Sequence, residues 1–282
     1  MAKNEEQKLN KKWEKAKLSN NFIFYKVMRH HQEECKKLLE MLLNIKIKEM
    51  NMSNEETIDL DHDKKGIRLD IFVKEKNRMH DIELQVVNKK ELPKRARYYA
   101  GLMALDSLTE GEAYSKLCDS HVIFICMKDF FKKDLPVYSF ENFCKEDKTI
   151  KLNDRDFKHF FIAPNCAKMI KDSELKAFFE FLVSGIPSNK FTSNLKDYVD
   201  DAKHNMQWRQ QYMTYLRQRN YDIEEGLKKG IRIGKREGAQ QKAIENAKNC
   251  LAYGDSPEKV SRCIGLPLEK VLELQKEIQA GA

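Results

Sequence analysis

Between Ile67 and Val86 the chain reads IRLDIFVKEKNRMHDIELQV, two runs in which apolar and polar residues take turns. Ile67, Leu69, Ile71 and Val73 alternate with Arg68, Asp70 and Phe72; Ile82, Leu84 and Val86 alternate with Asp81, Glu83 and Gln85. A period of two belongs to a strand with one face buried. The polar KEKN segment between the runs can reverse the chain. With Lys76 and Asn77 at the centre of the turn, pairing outward sets Asp70 directly opposite Glu83. Gln85 then shares their face, because residues i and i+2 lie on one side of a sheet. Two carboxylates at one point repel, and a divalent cation relieves the repulsion. An oxygen-only ligand set suits Mg2+, with Mn2+ as the alternative. The same residues also fit a solvated face on which Arg68, Lys74 or Arg78 pair with the acids across strands.

Asp…Glu-x-Gln on a hairpin resembles the signature of the PD-(D/E)xK nuclease superfamily. Around it stand NNFIFYKVM (20–28), KGIRLDIFV (65–73), HDIELQ (80–85), LPKRARYYAGLMALD (92–106) and VIFICM (122–127). Their order and spacing resemble the bacterial recombination-promoting nuclease and transposase group often called Rpn, closely over residues 18–165 and more loosely beyond. The resemblance implies a restriction-endonuclease-like α/β fold, a mixed sheet with an αβββαβ core, followed here by an α-helical C-terminal arm. It implies a metal-dependent DNA endonuclease linked to recombination or mobile elements, with Asp70, Glu83 and Gln85 as the catalytic set. It further implies that the backbone carbonyl of Leu84 completes the metal site, with Glu40 on the first helix as an extra carboxylate. Gln85 departs from the superfamily's lysine, although ExQ also occurs in the Rpn-like family. An amide orients a water or a phosphate oxygen but cannot titrate. Two other readings stay open: a non-catalytic oligomeric DNA-binding protein descended from a nuclease, and a nuclease directed at RNA.

Charge is distributed in a way that suits phosphodiester chemistry. The 282 residues carry 52 Lys+Arg against 44 Asp+Glu, a mildly basic balance that a nucleic-acid partner tolerates without requiring it. Residues 51–85 hold nine acids and six bases, whereas residues 86–100 hold five bases and one acid. An acidic pocket beside a basic rim is what holding both a metal and a phosphate calls for. The seven cysteines are odd in number, scattered and without a CxxC pair, so neither a disulfide framework nor a zinc site is expected. Cys126, inside the apolar run VIFIC, reads as a packing residue. The first residues lack the apolar stretch of a signal peptide, and no apolar run approaches the ~18 residues of a membrane span. The expectation is a cytoplasmic protein in a reducing compartment.

Three stretches are expected: a polar segment at 1–17, frayed or weakly helical; a nuclease-like domain at 18–170; and a helical arm at 171–282 with a helical hairpin at 255–279. Apolar positions from Phe22 to Ile45 trace a helical stripe broken near His30 and His31, which read as exposed polar residues. Asp59, Asp61 and Asp63 form an acidic run without the glycine and terminal glutamate of a calcium loop. Pro93 opens a helix that runs to about Leu108. Lys94, Arg95 and Arg97 fall in its first turns, where cations oppose the macrodipole. A DNA phosphate explains them; for one of the arginines, pairing with Glu83 or Asp81 explains it as well. Tyr98 and Tyr99 are expected to pack on the sheet. Further strands are expected at 122–127, 136–142, 149–153 and 159–165, giving a mixed sheet of four or five strands.

In the arm, SELKAFFEFLVSG reads as a helix with a serine cap, and residues 194–218 as one longer helix. Glycines then recur every fourth residue, at Gly226, Gly230, Gly234 and Gly238. Each costs a helix about 1 kcal/mol relative to alanine. A helix that self-associates through its glycine face, making a homo-oligomer, accounts for them; so does a flexible connector. The final hairpin resembles a DNA-binding helix pair, but its second helix carries Glu269, Glu273 and Glu277 and reads as a packing element.

Overall fold

The structure, a computed structural model, describes the backbone of residues 2–52, 57–58, 67–68, 71–86 and 90–280, and the side chains of 6–52, 71–86 and 90–279. Asp70 and the 59–63 aspartates, singled out in the sequence, lie outside the described residues. The order of elements is α1 (Ala2–Glu14), α2 (Asn21–His30), α3 (Gln32–Leu43), β1 (Asn51–Met52), β2 (Thr57–Ile58), β3 (Ile67–Arg68), β4 (Ile71–Lys74), β5 (Arg78–Gln85), α4 (Leu92–Ser107), a short 3-10 turn, β6 (Asp119–Cys126), β7 (Val137–Phe140) and β8 (Asp156–Ile162). Then follow α5 (Ala163–Met169), α6 (Ser173–Ser184), α7 (Lys190–His204), α8 (Met206–Ala252), α9 (Pro257–Ile264) and α10 (Leu268–Ala280).

A six-stranded mixed sheet in the order β1-β4-β5-β6-β8-β7 forms the centre. β5, β6 and β8 run parallel, and β1, β4 and β7 are antiparallel to their neighbours. The hairpin register is the one the turn predicts: Ile71 faces Ile82 and Lys74 faces Met79, with Lys76 and Asn77 at the bend. One face of the sheet lies under α4, where Phe72, Met79, Val122, Phe124 and Phe160 pack with Ala96, Tyr99 and Met103. Burying each large side chain there contributes about 1.5–3 kcal/mol. The other face is covered by α2 and by α6, whose Phe179 stacks on Phe161. Val122 to Cys126 are all buried, as expected for a central strand between two helical layers.

Several expectations need correction. Residues 149–153 form no strand; a single bridge joins Phe143 and Lys151, and Ile150 and Leu152 are exposed because no core faces them. The strand expected at 159–165 ends at Ile162, and α5 begins at Ala163 with Pro164 in its first turn. The N-terminal segment is helical and docked. Trp13 is 2% exposed, donates from Nε1 to the Lys203 carbonyl at 3.0 Å, and packs on Phe22 and Tyr212. The helical stripe of residues 22–45 does break at His31, but only His30 is exposed; His31 stacks on Tyr198. Tyr99 is buried on the sheet, whereas Tyr98 is 39% exposed.

Asp172, not Ser173, caps α6 by accepting from Leu175 N, and Gly185 closes the helix at φ 80°. The helix expected over 194–218 is two, parted at Asn205, whose side chain accepts from Trp208 N. The chain divides into two compact units, Met1–Met213 and Thr214–Ala282, so α6 and α7 belong to the first. In the second, Val260, Val271 and Leu274 bury Ala247 near the end of α8, which makes the final hairpin a packing element. No described helix is long and apolar enough to cross a membrane.

Candidate active site

β5 is buried along its length, and its alternation decides what each side chain meets. Met79, Asp81, Glu83 and Gln85 take the face toward α4; His80, Ile82 and Leu84 take the other. Polar residues thus stand where a core would normally be. Asp81 is fully buried, Glu83 is 4% exposed and Gln85 8%. A carboxylate so enclosed stays ionised only beside a cation or strong donors.

Arg95 is that cation. Its Nη2 donates to Glu83 Oε2 at 2.7 Å and its Nη1 to Gln85 Oε1 at 3.0 Å. One turn along α4, the Tyr99 hydroxyl accepts from Nε at 3.2 Å and from Nη2 at 2.7 Å. The guanidinium also lies over the rings of Tyr99 and Phe124, 5.3 and 5.6 Å from their centroids. Burial first, and then the charge of Glu83, push the Tyr99 hydroxyl above its ordinary range. Of the three cations predicted to meet phosphate, Arg95 therefore takes the carboxylate partner, while Lys94 and Arg97 are exposed on the first turns of α4.

The backbone of the same strand end is engaged too. Asn21, at the start of α2, donates its side-chain amide to the Leu84 carbonyl at 2.7 Å, and Met127 N donates to the Gln85 carbonyl at 2.9 Å. Asn20 caps α2 by accepting from Phe22 N at 3.0 Å, which fixes where Asn21 points. The starts of α2 and α4 thus converge on Glu83, Leu84 and Gln85. Asn21 stands inside the NNFIFYKVM run, but nothing local in the sequence tells which strand a helix terminus meets. In the sequence Asp81 offers only a partner for arginine; its complete burial follows from the α4 layer above it.

Glu40 serves its own loop. Its Oε1 accepts from Ile47 N at 2.8 Å and its Oε2 lies 3.7 Å from Lys46 Nζ. Among the described residues no three His, Cys, Asp or Glu side chains converge on one point. The oxygens at the end of β5 are nonetheless of one kind: the Glu83 carboxylate, the Leu84 carbonyl and the Gln85 amide oxygen. Such oxygen donors fit a hard divalent ion, and the Glu83 carboxylate already carries a cationic partner in Arg95.

A sequence model described as PD-(D/E)XK nuclease family transposase matches residues 18–183, which is more than half of the chain. No curated protein and no solved structure matches.

Proposed function

The chain belongs to the PD-(D/E)XK nuclease family of transposases, and from that premise we propose a divalent-metal-dependent endonuclease that hydrolyses DNA phosphodiester bonds in recombination or mobile-element activity. The observation that carries this reading is the buried Glu83, presented with Gln85 toward α4 at the end of β5 and matched by a cation. Asp70, Glu83 and the Leu84 carbonyl would hold Mg2+ or Mn2+. Ile71 faces Ile82 in the register of β4 against β5, the same turn register from which the sequence alone sets Asp70 opposite Glu83. Bound there, the metal would supply Lewis-acid polarisation of the phosphate and a more acidic water. The protein's own groups do the rest. Gln85 orients a water or a phosphate oxygen through its amide and takes up no proton. Asn21 fixes the Leu84 carbonyl. Lys94 and Arg97, exposed at the start of α4, meet the flanking phosphates together with the N–H groups of that terminus. The arm assembles copies of the chain, and the protein works in the cytoplasm.

The test is supercoiled plasmid incubated with purified protein and Mg2+ or Mn2+, with chelator as control. Nicked or linear product that disappears with chelator is expected. Retarded plasmid without any product would instead favour the binding protein descended from a nuclease, a reading to which Gln85 in the lysine position lends weight.

A further inference from the structure

The family's motif, as its name spells it, ends in lysine, and this chain has Gln85 there. The missing charge is present in space. The Arg95 guanidinium sits 3.0 Å from the Gln85 amide oxygen and 2.7 Å from Glu83. The Tyr99 hydroxyl also accepts from it, so among the described residues Glu83, Gln85 and Tyr99 hold its planar fork. Stability alone does not account for it. A buried ion pair typically gains nothing over a well-packed apolar pair, and a cation at a helix start works against the macrodipole.

We propose that Arg95 is the resident cation of the nuclease site, neutralising Glu83 before metal arrives and contacting the scissile phosphate once a metal takes over that carboxylate. The inference rests on the nuclease reading and deepens it. Two consequences follow from one geometry. Metal and guanidinium compete for the same Glu83 oxygen, so Arg95 opposes metal binding in the DNA-free protein. With DNA present, a displaced guanidinium still tethered by Gln85 is a ready donor to a nonbridging phosphate oxygen, which lysine alone would otherwise supply.

The test measures Mn2+ affinity of the DNA-free protein, plasmid cleavage and thermal melting for wild type, Arg95→Gln, and the double variant Arg95→Gln/Gln85→Lys. Arg95→Gln is expected to bind Mn2+ about tenfold more tightly, the scale of one charge-assisted hydrogen bond removed from competition, and to cleave about a hundredfold more slowly. Affinity and rate thus move in opposite directions, which a merely structural role does not produce. The double variant is expected to recover at least about tenfold of the lost rate, because charge returns to the same spot. Weakened Mn2+ binding in folded Arg95→Gln, or a folded double variant without recovery, overturns the proposal. Should Arg95→Gln not fold, the double variant decides by its rate alone: recovery to within about tenfold of wild type supports the proposal, and no cleavage overturns it. A wild-type protein that neither binds Mn2+ nor cuts removes the nuclease reading itself. Wild-type function with Arg95→Gln unchanged in both affinity and rate removes only the role of Arg95.

Discussion

A glutamate that is 4% exposed leaves its bulk hydration behind, and the guanidinium 2.7 Å away compensates for part of that loss. Deleting the carboxylate is therefore not a neutral probe. From the repulsion of two carboxylates alone, Glu83→Ala should leave the sheet intact. With Arg95 in contact, it strands a partly buried cation and is expected to cost about 1–3 kcal/mol. Glu83→Gln keeps an acceptor for Arg95 and removes only the charge. Its melting temperature should fall less than that of Glu83→Ala, while metal-dependent cleavage is lost in both. Equal melting of the two variants would show that the acceptor kept by glutamine carries no stability; cleavage by either would remove Glu83 from the site. Asp70→Asn, tested alongside, should also abolish cleavage. The placing of Glu83 and Gln85 on one face was legible because a two-residue turn and a period of two leave little choice of register. The partner of Arg95 was not. A cation in the first turn of a helix serves an external phosphate or an internal carboxylate equally well until α4 is laid on the sheet.

Within the sheet, order does what sequence spacing does not reveal. His80 on β5, His121 on β6 and His159 on β8 lie 41 and 38 residues apart, and the β5-β6-β8 order brings them into a row on the face away from α4. The rings of His80 and His121 lie 5.0 Å apart, those of His121 and His159 5.6 Å, with His121 Nδ1 3.4 Å from His159 Nε2. His80 Nε2 meets Glu75 Oε1 at 2.6 Å, and Ser139 Oγ meets His159 Nδ1 at 3.1 Å. Burial, then the neighbouring imidazoles, lower His121 to about 3; burial, then His80, lowers His159 to about 4. Burial lowers His80 too, against the pull of Glu75. Arg78 adds to the lowering at His80 and His121, while Asp119 opposes it there and Glu141 opposes it at His159. Folded-state values below the unfolded value mean that the unfolded chain takes protons first. Stability is full above about pH 6.5 and is lost as pH falls through the values of His159 and His121, by at most about 1.4 kcal/mol per pH unit for each histidine. Melting temperatures measured from pH 7.5 to 4.5 should therefore decline, and His121→Phe, stacked between His80 and Phe157, should flatten the decline. An unchanged slope in that variant would assign the acid sensitivity to other groups. Strands 6 and 8 were themselves readable from their apolar runs. The strand expected at 149–153 failed for the opposite reason: alternation without a layer to pack against makes only a bridge.

Across the whole molecule the least explained element is α8, a helix of 47 residues whose middle is solvent-exposed. Isolated helices in water are marginal, and four glycines weaken this one by about 1 kcal/mol each relative to alanine. Local propensity predicts a break, yet the helix continues through Gly226, Gly230, Gly234 and Gly238. A Cβ added at any of the four would meet nothing within 4 Å. Ile223 stands just before them and Leu227 and Ile231 between them, 59%, 62% and 51% exposed. At about 100° per residue, Ile223, Gly226, Leu227, Gly230, Ile231 and Gly234 share one stripe about 140° wide. Small residues beside large apolar ones on one face let a second helix approach closely, and a second copy meeting the same face by twofold symmetry is the simplest occupant. The spacing of the glycines was visible in the sequence; the continuity of the helix and the exposure of the isoleucines were not, because both depend on what packs nearby. The decisive variant is Gly230→Leu with Gly234→Leu. Leucine is the better helix former, so circular dichroism should show helix content held or raised. Its bulk blocks close approach, so light scattering should report a smaller particle than wild type. Those two readouts part company only if the glycines serve assembly; a wild-type chain already monomeric at micromolar concentration would leave α8 as a connector.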